Sequence, residues 1–78
     1  MYYVYILKCK DGKHYTGCTS DLKDRFQRHI NGHVPATADN LPVHLVHYSA
    51  FIDKYKAFNF ERYLKAGSGK AFMKKRFI

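Results

Sequence analysis

Tryptophan is absent from this 78-residue sequence, and it holds only two cysteines, two prolines and five glycines. Two thiols, Cys9 and Cys18, cannot make the cross-linked framework of a small secreted domain, so free thiols in a reducing cytosol are expected. Long apolar runs are also missing. No stretch approaches the ~18 residues of a membrane span. The opening Met1-Tyr2-Tyr3-Val4-Tyr5-Ile6-Leu7 has no basic segment before its apolar stretch and no small-residue cleavage site, unlike a signal peptide. Acidic residues are scarce, 6 Asp+Glu against 14 Lys+Arg, which leaves a formal net charge of +8 at pH 7. A chain this short buries only about 60–65% of its unfolded surface, which excludes a repeat array, a second domain or a large substrate cavity. What it does contain is core-forming material: hydrophobic residues are 46% of the chain, too rich for a disordered basic tail. A cytoplasmic, strongly basic domain spanning residues 1–78 is expected, and the commonest partner of such a surface is a polyanion.

The order of elements follows from local pattern. Residues 2–9 are β-branched and aromatic at both parities, as in a strand covered on both faces. Lys10-Asp11-Gly12-Lys13 signals a turn, and a second strand starts at His14-Tyr15-Thr16-Gly17. Ser20 is a suitable N-cap, with Asp21 in the first turn of a helix that ends at Asn31-Gly32. Residues 34–42 hold both prolines and read as a loop. Val43–Phe51 is a third strand. A second helix opens near Asp53 and runs to Lys65, ended by Gly67. Ser68 caps a last basic helix, Gly69–Phe77. The expected fold is α+β, a small three-stranded antiparallel sheet flanked by three helices in the order β-β-α-β-α-α.

Polar residues in apolar stripes single out candidate functional positions. On the first helix Leu22, Phe26 and Ile30 form the inward stripe, and Arg25 and His29 fall within it. On the second, Glu61 sits inside the stripe of Ala57, Phe60 and Leu64. An inward Arg or Glu is costly unless paired, hydrogen-bonded or holding a metal, and an Arg25–Glu61 ion pair or snorkelling to water are the structural alternatives. In the hairpin, a two-residue Asp11-Gly12 turn would put Tyr15 on the face opposite Tyr5. A three-residue loop closed by Gly12 in a left-handed bulge instead pairs Leu7 with Tyr15 and Tyr5 with Gly17. Tyr5 and Tyr15 then share a face as diagonal neighbours about 7–8 Å apart, and Gly17 leaves space above Tyr5 for a backbone or phosphate.

Val4-Tyr5-Ile6, then Tyr15-Thr16-Gly17 ten residues on, then Arg25 after ten more and His29 after four, resembles the signature of the GIY-YIG nucleases. The segment Ala57–Lys65 is similar to that family's second helix, with Glu61 at its metal position. The resemblance covers residues 2 to about 75 and runs nearest to the small bacterial members that look like the catalytic domain of the excinuclease C subunit. Val4 stands for the first Gly and Thr16 for the Ile. Cys18 stands where some members have Lys, and no Asn follows Asn59 to supply the late active-site Asn of several branches.

The resemblance implies divalent-metal-dependent cleavage of the DNA backbone. Glu61 would hold Mg²⁺ (or Mn²⁺), a cation that needs few protein ligands, and Arg25 would clamp non-bridging oxygens. Tyr5 is the expected base, with Tyr15 and His29 positioning water and phosphate. Gly17, Lys8, Lys13, Arg28, Lys65, Lys70, Lys74 and Lys75 are candidate nucleic-acid contacts, giving affinity without sequence preference. No base-reading pattern is visible, so branched, damaged or single-stranded DNA is the expected partner, with RNA open and targeting left to a partner protein. A nucleic-acid-binding module of the same fold with weak or lost catalysis is the alternative. His29 and His33 stand at i, i+4 and would suit zinc only if the helix reached His33, but Asn31-Gly32 ends it first, and Cys9, His14 and Cys18 fit no structural zinc spacing. His44 and His47 have opposite parity in the third strand and are read as facing opposite ways.

Overall fold

A computed structural model describes all 78 residues. Three strands, β1 (Tyr2–Lys8), β2 (His14–Thr19) and β3 (His44–Phe51), form one antiparallel sheet in the order β2-β1-β3. Four helices follow the chain: α1 (Leu22–Ile30), the short α2 (Pro35–Ala38), α3 (Lys54–Lys65) and α4 (Gly67–Arg76). The α+β order read from the sequence is the observed one, with α2 added.

The hairpin takes the three-residue form. Gly12 adopts φ +86°, a left-handed conformation that favours glycine. Its N–H donates to the Cys9 carbonyl at 2.9 Å, and the Cys9 N–H donates to Lys13 at 2.8 Å. Asp11 Oδ1 accepts from the Lys13 N–H and rigidifies the turn. The consequence is the register Leu7↔Tyr15 and Tyr5↔Gly17, which puts Tyr5 and Tyr15 on one face.

Central strand β1 is buried on both sides, with Val4, Tyr5, Ile6 and Leu7 all essentially inaccessible. Val4 and Ile6 pack with Ala57, Leu64 and Met73 from α3 and α4, walled by Phe51, Phe60 and Phe72. Tyr5 and Leu7 pack on the opposite side with Val43, against Leu22 and Phe26 of α1 and Leu45 of β3. A register shift in β3 opposite Ile6/Leu7 leaves Val46 without a partner, pairing His47 with Ile6 and His44 with Lys8. Simple alternation put those two histidines on opposite faces. The bulge brings them to register positions on the same one.

Three other local expectations change. Asp21, not Ser20, caps α1, accepting from the Asp24 N–H at 3.0 Å. The Thr19 hydroxyl accepts from the Asp21 N–H and holds that residue in its extended cap conformation. Ile30 is 45% exposed although it was counted in the inward stripe. At about 100° per residue it lies roughly 80° around from Leu22, whereas His29 lies about 20° away and takes the inward position. Finally, Ser68 is inside α4. Extended Ala66 terminates α3 and begins α4 at once, so no side chain caps the last helix.

Candidate functional site

Three rings from three elements meet beside the sheet. Tyr5 comes from the central strand, Tyr15 from the edge strand, and His29 from the last turn of α1, whose amphipathic stripe turns it inward. Ring centroids are 6.3 Å apart for Tyr5 and Tyr15, 5.6 Å for Tyr5 and His29, and 5.2 Å for Tyr15 and His29. Tyr5 Oη and His29 Nε2 are hydrogen-bonded at 2.8 Å. On the far side of the imidazole, Nδ1 is bonded to Thr37 Oγ1 at 2.7 Å. All three members of this Tyr5–His29–Thr37 chain are buried.

Burial also sets the protonation of the chain. The Tyr5 phenol is pushed up to about 12, first by desolvation and then by Tyr15, while Arg25 pulls the other way. The His29 imidazole is held below its ordinary range by burial and by the Arg25 charge. Tyr5 therefore keeps its proton and His29 stays neutral near pH 7. With one ring nitrogen donating and the other accepting, both neighbours are satisfied, and no buried side-chain polar atom in the protein lacks a partner.

Arg25 and Glu61 approach this cluster from different helices. Both are half-buried. Arg25 forms no ion pair, since the single one in the structure joins Glu61 Oε2 to Lys65 Nζ at 3.1 Å. The Arg25–Glu61 pair considered from the sequence does not form, because Lys65 lies one turn along the same helix and reaches the carboxylate first. The Glu61 charge nonetheless raises both Tyr5 and the Cys18 thiol, which places the carboxylate within electrostatic reach of both groups. The Lys65 ammonium lies 6.0 Å from the centroid of the Tyr15 ring.

The five residues singled out for chemistry, Tyr5, Tyr15, Arg25, His29 and Glu61, are thus gathered in one region by β1, β2, α1 and α3. Of the candidate nucleic-acid contacts, Lys65 joins them. Lys8 and Lys13 stay exposed at the hairpin end, Arg28 on the outward side of α1, and Lys70, Lys74 and Lys75 on α4. Gly17 is different. It is buried, and a Cβ there would collide with the Tyr5 phenol, so Tyr5 itself fills the space expected to admit a phosphate.

Thr37 was missed because it lies in the segment read as loop. The available signal was Pro35, which is suited to the first position of a helix. It starts a single turn that carries Thr37 inward. Asn40 then ties this segment to the hairpin, its carbonyl accepting from the Lys10 N–H and its side chain from the Asp11 N–H.

Nowhere do three His, Cys, Asp or Glu side chains gather as a metal cage. Glu61 is the one carboxylate at the cluster. A single hard oxygen donor, partly exposed beside the aromatic cluster, fits Mg²⁺ or Mn²⁺, which retain waters and take substrate oxygens. It does not fit an all-protein zinc site.

The sequence matches the family described as the GIY-YIG catalytic domain over residues 1–76. It is 43% identical over 65 residues to a UPF0213 protein of Lacticaseibacillus paracasei, covering 82% of this chain and 73% of that protein. It is 46% identical over 66 residues to the UPF0213 protein CPE1444 of Clostridium perfringens, covering 83% and 71%. The solution NMR structure of the UPF0213 protein BH0048 from Bacillus halodurans superposes with a TM-score of 0.61 at 37% identity, over 96% of this chain and 84% of that one. No helix is long and apolar enough to cross a membrane.

Proposed function

This chain belongs to the GIY-YIG family, whose membership implies nuclease chemistry, and we propose that it is a metal-dependent endonuclease hydrolysing DNA phosphodiester bonds with weak sequence preference or direction by DNA structure. The observation that carries this reading is the convergence of two tyrosines, a histidine, an unpaired arginine and a carboxylate from four separate elements. In this reading the enzyme is cytoplasmic, and branched, damaged or single-stranded DNA is its substrate.

Glu61 would hold the cation, Mg²⁺ or Mn²⁺, which when bound supplies charge stabilisation at the phosphate and the leaving oxygen. To do so Glu61 releases Lys65, whose ammonium becomes free to meet a phosphate oxygen. Arg25, with no carboxylate competing for it, takes non-bridging oxygens through its planar fork. Tyr5 was the expected base, but it has no exposed surface and is held by His29, and its phenol is pushed up to about 12. We therefore assign the proton of the attacking water to half-buried Tyr15, which first gives its own phenol proton to solvent and acts as the phenolate. Tyr5, His29 and Thr37 hold that ring in place from behind.

Nicking of supercoiled plasmid with Mg²⁺ or Mn²⁺ tests this directly. Glu61→Ala and Arg25→Ala are each expected to reduce the rate by about a hundredfold or more, the scale of losing one preorganised electrostatic contact. Cleavage that survives Glu61→Ala overturns the assignment. One observation favours a second reading, a binding module with weak or lost catalysis: the sole carboxylate is already occupied by Lys65. Salt-sensitive DNA binding without metal-dependent nicking would establish that alternative.

A further inference from the structure

Arg25 faces more than the aromatic cluster. It also lines a cleft of about 400 Å³ that continues past it between the end of β2 and the start of α3, with Tyr2, Cys18, Thr19, Lys54 and Phe58. That volume lies in the range of small-ligand pockets, ~300–1,000 Å³. The charged side chains of this lining are Arg25 and Lys54, and both are positive. The Cys18 thiol is raised by burial and by Glu61, so it adds no negative charge. Lys54 makes no ion pair, and its ammonium sits 5.5 Å from the centroid of the Phe58 ring. Phe58 is 39% exposed, an aromatic ring left open on the surface beside two unneutralised cations.

We propose that this cleft is a nucleotide subsite for unpaired nucleic acid, in which Lys54 holds a phosphate neighbouring the one at Arg25 and a base stacks on Phe58. The inference deepens the nuclease reading and rests on it. Lysine contributes to phosphate binding as a point charge, without reading sequence. An aromatic ring accepts any base, because every base has a π-face. In a duplex those faces are covered by neighbouring base pairs, so stacking on Phe58 selects a strand that is single, frayed or flapped. Neither Lys54 nor Phe58 stood out in the sequence, since Phe58 lies off the inward stripe of Ala57, Phe60 and Leu64 and Lys54 is one positive charge among fourteen.

Fluorescence anisotropy of a labelled single-stranded 12-mer and of the matching duplex, in EDTA so that nothing is cut, separates the outcomes. Phe58→Ala is expected to weaken single-strand binding five- to tenfold and to leave duplex binding unchanged, and Phe58→Tyr is expected to restore it. Lys54→Ala should weaken single-strand binding and flatten the dependence of log K on log salt by about 0.7, the value for one lost contact on a single strand. Both side chains are exposed, and unchanged thermal melting of each variant confirms that binding alone is altered. If Phe58→Ala and Lys54→Ala bind as the parent does while Arg25→Ala is weakened, the subsite is wrong and the nuclease reading stands. If the parent itself binds neither form, both fall together.

Discussion

The two faces of β1 differ in what their burial accomplishes. On one, Val4 and Ile6 lie under α3 and α4 among Ala57, Leu64, Met73 and a ring of phenylalanines. The polar group reaching into this side, Thr16 Oγ1, donates to the Met73 sulfur at 3.7 Å. On the other, Tyr5 and Leu7 lie under α1 and α2, and there burial encloses the Tyr5–His29–Thr37 chain. Side chains of one seven-residue strand thus supply a cohesive apolar layer and the back wall of the candidate site. The apolar face tolerates no loss of volume, whereas the polar face tolerates no loss of a partner, because an unpaired buried donor or acceptor carries its full desolvation cost.

The largest effect that would sharpen this contrast lies on the apolar face. Leu64→Ala removes a fully buried side chain and is expected to lower unfolding stability by about 2–5 kcal/mol in urea titration, with the cleavage rate per folded molecule unchanged. Next comes the alkaline limb. The native Tyr5 phenol binds its proton more tightly than in the unfolded chain, about 12 against 10.0, so the unfolded state loses protons first as pH rises. Stability is therefore complete below pH 10 and falls between pH 10 and 12, by about 2–3 kcal/mol from this group. In Tyr5→Phe that portion of the fall should vanish, and an unchanged alkaline slope would break the contrast. Gly17→Ala follows, at about 1–3 kcal/mol, because its methyl must displace the Tyr5 phenol. Unlike Leu64→Ala it should also slow cleavage, and a variant that loses stability alone would show that Tyr5 does not support the site.

Smaller still is Thr37→Val, near-isosteric but without the hydroxyl bonded to His29. It is expected to cost about 1 kcal/mol in thermal or urea unfolding. The acid side engages both faces. His29 on one and His47, stacked on Phe77 at 3.7 Å, on the other are each held below the ordinary imidazole range by burial. The unfolded chain therefore binds protons first as pH falls below about 6.5, and stability declines through the native values. Replacing either histidine by an uncharged residue should reduce the slope of that decline.

Much of this was legible beforehand, for identifiable reasons. The Asp11-Gly12 pair with apolar runs on either side defines a hairpin, and the three-residue loop assigns Tyr5 and Tyr15 to one face by strand periodicity alone. Helical periodicity likewise turns Arg25, His29 and Glu61 inward without reference to any other element. The misses have separate causes. Gly17 was credited with open space because backbone pattern does not say which side chain fills it. Ile30 counts as core by its apolar spacing from Leu22 and Phe26, although the helical angle already turns it about 80° from Leu22. Thr37 and the His44/His47 relation depended on a short turn and a bulge, features set by packing rather than by local propensity.

The sparing use of acidic residues, the absence of long apolar runs and the spacing of five chemistry-bearing side chains were determined by sequence, because charge and periodicity are local properties of a chain. Which partners those side chains took was decided only in three dimensions. The tertiary fold gave Glu61 to Lys65, left Arg25 unpaired, sealed Tyr5 behind His29 and Thr37, and set Lys54 and Phe58 beside Arg25. Burial and proximity are produced by contacts between residues distant in the chain. Those two quantities decide which group keeps its proton and which charge remains free to meet a phosphate.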